Sequence, residues 1–184
     1  MSVLGGVVLR AGLTLAALVA VLLVFVVETK MSARAGVPTA LLLERGRRIR
    51  VGDRVVCTRE GRTVEGRVAA LGGQRVALRG SRLFVDGEPL ERRPCRGAEA
   101  LVLDAAVRAR CFVERRGDRA WTIAAPQEGS QVELEATVPP ARAYLLSDDR
   151  ADFRADSRAL GPLPAELCRT IVAELAGGSL RYRP

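Results

Sequence analysis

The sequence has no histidine and a single lysine, Lys30, against 28 arginines. Histidine and lysine are the side chains most readily recruited as general bases, whereas arginine stays protonated in proteins. The absence of histidine also excludes the common zinc sites. The four cysteines (Cys57, Cys95, Cys111 and Cys168) stand singly, and without a C-x-x-C pair a cysteine-only metal site is not expected. No metal and no cofactor is expected. Aromatic residues make up only 4% of the chain, too few for a base-stacking platform or for a sugar groove served by paired carboxylates. The net charge is +8, but arginine and acidic residues alternate and no nucleic-acid motif is present, so no nucleic-acid partner is expected.

The length of 184 residues fits one domain, or one domain with an appendage. Ala11 to Val27 carries no charge. As a helix this run would span roughly 25 Å, and the apolar residues before Arg10 extend it towards a full bilayer crossing if Arg10 snorkels. Residues 1–30 are therefore read as a single membrane anchor and the lipid bilayer as a partner. A cleavable signal peptide, with Ala33-Arg34-Ala35 as the small-x-small site, and a buried core helix are the competing readings. The flanking charges, Lys30, Arg34, Arg45, Arg47, Arg48 and Arg50, lean towards a cytoplasmic carboxyl-terminal domain. The same arginines could meet anionic headgroups.

Residues 31–184 form the second expected unit. From about Arg50 to Val138 short apolar or alternating segments are separated by turn signals. Val51–Cys57, Arg62–Leu71, Gln74–Arg79, Arg82–Val85, Leu101–Val107, Arg110–Glu114, Arg119–Ile123 and Gln131–Val138 read as strands. Gly80-Ser81 and Gly117-Asp118 read as hairpin turns. The fold class is mainly β: one amino-terminal transmembrane helix followed by a small antiparallel barrel or sandwich. Near Ala165 a short helical turn is expected to lead into a strand, with a helix over Pro164–Ala176 as the alternative. The cysteines are compatible with disulfides in three pairings, or with Cys57 as a free buried thiol.

One constellation carries a family resemblance. Val138-Pro139-Pro140-Ala141-Arg142-Ala143-Tyr144 leads to Ser147-Asp148-Asp149-Arg150, then Asp156-Ser157-Arg158, then Gly161-Pro162-Leu163-Pro164. This resembles the late signature of type I signal peptidases, with Ser147 in place of a Gly, Asp149 in place of an Asn and one extra residue. Arg67-Val68-Ala69-Ala70-Leu71-Gly72-Gly73, the hairpin ending Phe84-Val85-Asp86-Gly87-Glu88-Pro89-Leu90, and Val51–Cys57 match earlier family segments in the right order. The resemblance implies an anchored extracytoplasmic β domain in the bacterial cytoplasmic membrane, which outweighs the charge argument on orientation. It also implies a Ser nucleophile with a neutral Lys as base.

Those catalytic positions are empty of function here. Anchored on Pro38-Thr39, the nucleophile position falls on Ala35 and the Ser that helps build the oxyanion hole falls on Ala33. The base falls on Gly66. Ser32 and Lys30 are the only nearby substitutes, at i, i+2 spacing, and Glu65 is the one unconventional base. Asp148, Arg150, Asp156, Ser157 and Arg158 remain as a scaffold motif, read as an ion-pair and hydrogen-bond network. The reading is a catalytically inactive homologue that binds secretory signal peptides or an envelope partner. An active signal peptidase with displaced groups and a purely structural domain are the alternatives.

Overall fold

The computed structural model describes residues 25–31, 38–44, 48–96, 109–126, 133–176 and 179–182. Strands follow one another along nearly all of them. The first are β1 (Phe25–Met31), β2 (Pro38–Glu44), β3 (Arg54–Arg59), β4 (Arg62–Leu71), β5 (Arg75–Arg79), β6 (Arg82–Val85), β7 (Glu88–Pro89) and β8 (Glu91–Pro94). Then come β9 (Ala109–Arg116), β10 (Arg119–Pro126), β11 (Leu134–Thr137) and β12 (Arg142–Leu146). A four-residue helix α1 (Ser157–Leu160) precedes β13 (Leu163–Pro164), a 3-10 turn at Ala165–Leu167, β14 (Cys168–Ala176) and β15 (Ser179–Tyr182). The turn followed by a strand is the tail expected from the sequence; the β-branched Thr170-Ile171-Val172 run decides it against a helix.

The described chain forms two compact units. In one, β2 lies between β1 and β14, and β14 pairs with β15, all antiparallel. Leu41 and Leu43 are buried, alternating with half-buried Ala40, Leu42 and Glu44 as a pleated strand requires. β1 corrects the sequence reading. Phe25, Val26 and Val27 close the apolar run and were placed in the anchor over residues 1–30, yet they extend and pair with Glu44, Leu43 and Leu42. Their aromatic and β-branched side chains suit a strand. Residues 1–24, which hold the rest of the expected membrane helix, lie outside the described residues. Among the described residues no helix is long and apolar enough to cross a membrane.

The other unit, residues 49–168, holds three antiparallel groups: β3-β4-β12-β13, β11-β5-β6-β7 and β10-β9-β8. Two-residue loops join several hairpins. Glu60-Gly61 and Asp86-Gly87 have positive φ at both positions, which gives the twist that flanking strands need. The expected Gly80-Ser81 and Gly117-Asp118 turns are present, each with its Gly at positive φ. The segment Leu101–Val107, read as a strand, lies outside the described residues.

β12 is buried on both faces. Tyr144 and Leu146 join a core with Val76, Leu83, Trp121 and Ile123, whereas Ala143 and Leu145 join a second core with Val55, Val68 and Leu163. Each large apolar side chain so buried contributes about 1.5–3 kcal/mol. The second core is closed by a disulfide between Cys57 and Cys168, 111 residues apart in sequence. Cys95 and Cys111 form the other disulfide, between the end of β8 and the start of β9. Cys57 is therefore not the free buried thiol the sequence allowed.

Candidate functional site

Gly66 lies in the middle of β4 opposite Val55 of β3. Its other neighbour is β12. A Cβ at this position would stand 3.1 Å from the Leu145 Cβ and 3.3 Å from the Leu146 carbonyl oxygen. One obstacle is a backbone atom and the other a Cβ whose position the backbone fixes, so neither swings aside by rotation of a side chain. A side chain at residue 66 therefore needs its neighbours to give by a few tenths of an ångström. Glu65, the one unconventional base read from the sequence, is half-buried and ion-paired with Arg54. Ala33, Ala35 and Ser32 lie outside the described residues.

The next residue, Arg67, is buried and fully used. Its Nε and one terminal nitrogen donate to the two oxygens of Asp148 at 2.6 and 2.8 Å. The other terminal nitrogen donates to the Gly52 carbonyl at 2.8 Å. The fork geometry of arginine matches a carboxylate in this way. Burial by itself would raise the Asp148 carboxyl, but the Arg67 charge and hydrogen bonds, with help from Arg54 and Arg150, hold it below the ordinary value. The Arg67 guanidinium also sits over the Trp121 ring, 5.4 Å from its centre. Gly52, at φ +90°, is needed there because a Cβ would come within 2.6 Å of that ring.

The scaffold motif forms one continuous network with Arg67. Asp156 is fully buried. It caps α1 by accepting from the Arg158 amide, accepts from the Ser147 amide at 2.9 Å, and pairs with the Arg158 guanidinium at 2.6 Å. Arg158 in turn donates to the carbonyls of Arg150 and Asp152. Ser157 accepts from the Leu145 amide at 2.8 Å, so its hydroxyl fixes β12. Arg150 donates to the Ser147 carbonyl and to Glu114 of β9, each at 2.7 Å. The structure thus brings Asp148, Arg150, Asp156, Ser157 and Arg158 around one loop.

Glu114 and Trp121 were missed by the sequence reading. Glu114 is 1% exposed, and the oxygen that meets Arg150 also accepts from the Trp121 indole at 3.2 Å. The signal was present in outline. Glu114 interrupts the apolar face made by Phe112, Trp121 and Ile123, and an acid on such a face needs a buried partner. β10 adds backbone support, since the Ala124 amide donates to Asp148 and the Ala124 carbonyl accepts from Arg150, both at 2.8 Å. Tyr144 lies beneath the loop. Burial, reinforced by Asp156 and opposed by Arg158, pushes its phenol up to about 12, so it stays neutral.

Among the described residues no group of three or more His, Cys, Asp or Glu side chains is placed to hold a metal ion. The arrangement is a loop held by several ion pairs and hydrogen bonds beside a strand that carries Gly66. No curated protein matches the chain. A model of the family described as signal peptidase, peptidase S26, matches residues 5–173, and with the strands, the loop and its ion pairs in that order the chain belongs to this signal peptidase family.

Proposed function

We propose that this member of the family is a catalytically inactive homologue that acts by binding secretory signal peptides. It is held in the bacterial cytoplasmic membrane by a helix within the apolar amino-terminal segment, with its β domain extracytoplasmic. The observation that carries the reading is Gly66. At the position matched to the family's general base there is no side chain, and even a Cβ would press on Leu145 and Leu146. Composition supports it, since no histidine and only Lys30 are available as substitutes. Parts of a dyad act as a unit, so loss of base and nucleophile together removes most of the catalysis. The loop around Asp148 and Asp156, by contrast, is held by ion pairs and hydrogen bonds from Arg67, Arg158, Ser147 and Arg150. Two disulfides favour an oxidising, extracytoplasmic compartment.

The test uses the full chain in detergent with a preprotein bearing an Ala-x-Ala site and an active peptidase as control. The expected result is no cleavage together with saturable binding of the signal peptide. Cleavage that Ser32→Ala abolishes would sink the reading and restore the active enzyme with displaced groups. Neither cleavage nor binding, of a signal peptide or of a co-purified envelope protein, would leave a structural role alone.

A further inference from the structure

The two disulfides sit in opposite surroundings. Cys57 and Cys168 are 1% and 6% exposed and lie in the core with Val55, Val64 and Leu163. An attacking thiolate cannot reach a sulfur sealed in apolar packing, and a thiolate left behind there is disfavoured. Cys95 and Cys111 are half-buried. Cys95 directly follows β8, a four-residue strand at the edge of its sheet. Cys111, in β9, has Cys95 on one side and Ala124 of β10 on the other. Of the four sulfurs, Cys95 stands at the most open place in the fold.

The two bonds also differ in what they hold. Cys57–Cys168 joins residues 111 apart and Cys95–Cys111 residues 16 apart. The constraint on the unfolded chain grows with the span, so opening the shorter bond removes less stability and leaves the fold standing. What the shorter bond holds is the end of β8, where the Cys95 amide also donates to the Cys111 carbonyl at 3.1 Å. The end of a short edge strand frays once such a tie is released. β8 carries Arg92, whose guanidinium stacks at 3.5 Å on Phe112, the neighbour of Cys111, and donates to Ser81. Burial lowers the Arg92 guanidinium from its ordinary value and Glu114 opposes that effect, so the two charges feel each other. Glu114 in turn accepts from Arg150 and from the Trp121 indole.

We propose that Cys95–Cys111 is a reducible clip, opened by thiol–disulfide exchange with an external dithiol and read through Arg92 at the Glu114–Trp121 contact, while Cys57–Cys168 is a permanent staple. One thiolate of the dithiol attacks the Cys95 sulfur. A mixed disulfide forms, the bond between the two cysteine sulfurs breaks, and Cys111 leaves as a thiolate. The second thiolate of the dithiol then attacks its own sulfur in the mixed disulfide, which closes the reagent's disulfide and releases Cys95. Two electrons pass from the dithiol to the cystine, and the two protons the dithiol gives up go to the two cysteine thiolates. Oxidation by a disulfide runs the same steps backwards.

The experiment incubates the full chain in detergent, without denaturant, with dithiothreitol at rising concentration. Samples are quenched in acid, their free thiols are alkylated, and the labelled cysteines are mapped by mass spectrometry. Cys95 and Cys111 are expected to label about tenfold or more faster than Cys57 and Cys168, in line with their access to the attacking thiolate. Emission of Trp121, the sole tryptophan, is expected to shift in step with that labelling and to return on reoxidation with oxidised glutathione. Urea unfolding of the singly reduced protein is expected to stay cooperative, which separates opening of the clip from unfolding of the chain. Cys95→Ser/Cys111→Ser is expected to show the shifted emission without reductant. Equal labelling of all four cysteines, or labelling of Cys57 and Cys168 first, would overturn the proposal. Selective labelling with unchanged Trp121 emission would overturn it as well, because the bond would then be read by nothing.

Discussion

Two stretches of β4, one residue apart, have opposite fates. Gly66 contributes no side chain, and an added Cβ would press on Leu145 and Leu146. Arg67 uses its guanidinium on both oxygens of Asp148, on the Gly52 carbonyl and on the Trp121 ring. Around Gly66 two strands lie close; around Arg67 the guanidinium meets a carboxylate, a carbonyl and a ring. The hydrogen-bonded loop beside Gly66 is the part on which the binding proposed above rests.

The largest expected effect comes from breaking the network at its most buried point. Glu114→Ala leaves Arg150, whose side chain is 2% exposed, charged and unpaired. Removing one partner of a buried pair costs about 3–5 kcal/mol. Urea unfolding of the full chain in detergent measures it. The double variant Glu114→Gln/Arg150→Met removes the stranded charge, and most of that loss is expected to return. Signal-peptide affinity is expected to stay low in the double variant, because the Ser147 carbonyl loses its donor. Affinity that recovers with stability would show that the loop position does not matter for binding.

A smaller effect sharpens the other side of the comparison. Gly66→Ala adds one carbon against Leu145 and Leu146 and is expected to cost about 1–3 kcal/mol, the usual range for overpacking. Gly66→Lys is expected to cost at least as much, and the pair Gly66→Lys/Ala35→Ser is expected to cleave no preprotein. A neutral Gly66→Ala, or cleavage by the rebuilt dyad, would mean that the strands part easily and that the site is only dormant.

The contrast was partly legible in the sequence. The scaffold residues lie close together in a motif, so Asp148, Arg150, Asp156, Ser157 and Arg158 could be named from their order. β4 and the glycine turns followed from alternation and turn chemistry, which are local. What failed was long-range pairing. Arg67 meets Asp148 across 81 residues, Glu114 meets Arg150 across 36, and Cys57 meets Cys168 across 111. Nothing in a single chain prints those distances. β12 was hidden because it is buried on both faces and shows no polar alternation. β1 was hidden because the same apolar residues that suit a membrane helix suit a strand once β2 is available to pair with it.

The smallest expected effect is a pH dependence carried by the Asp148 carboxylate. The folded-state carboxyl of Asp148 is held below its ordinary value of 3.8 by Arg67. A group depressed in this way adds stability above its unfolded value and loses it as pH falls through the folded one. Urea midpoints measured from neutral pH downwards are therefore expected to stay level and then to fall below about pH 4. Asp148→Asn removes the charge Arg67 pairs with, so it is expected to start lower and to show a shallower acid limb. Arg67 keeps its charge throughout this range, so the difference between the two slopes belongs to the carboxylate. An unchanged slope in Asp148→Asn would place the acid-sensitive contact elsewhere and remove the Arg67–Asp148 pair as the source of the acid limb.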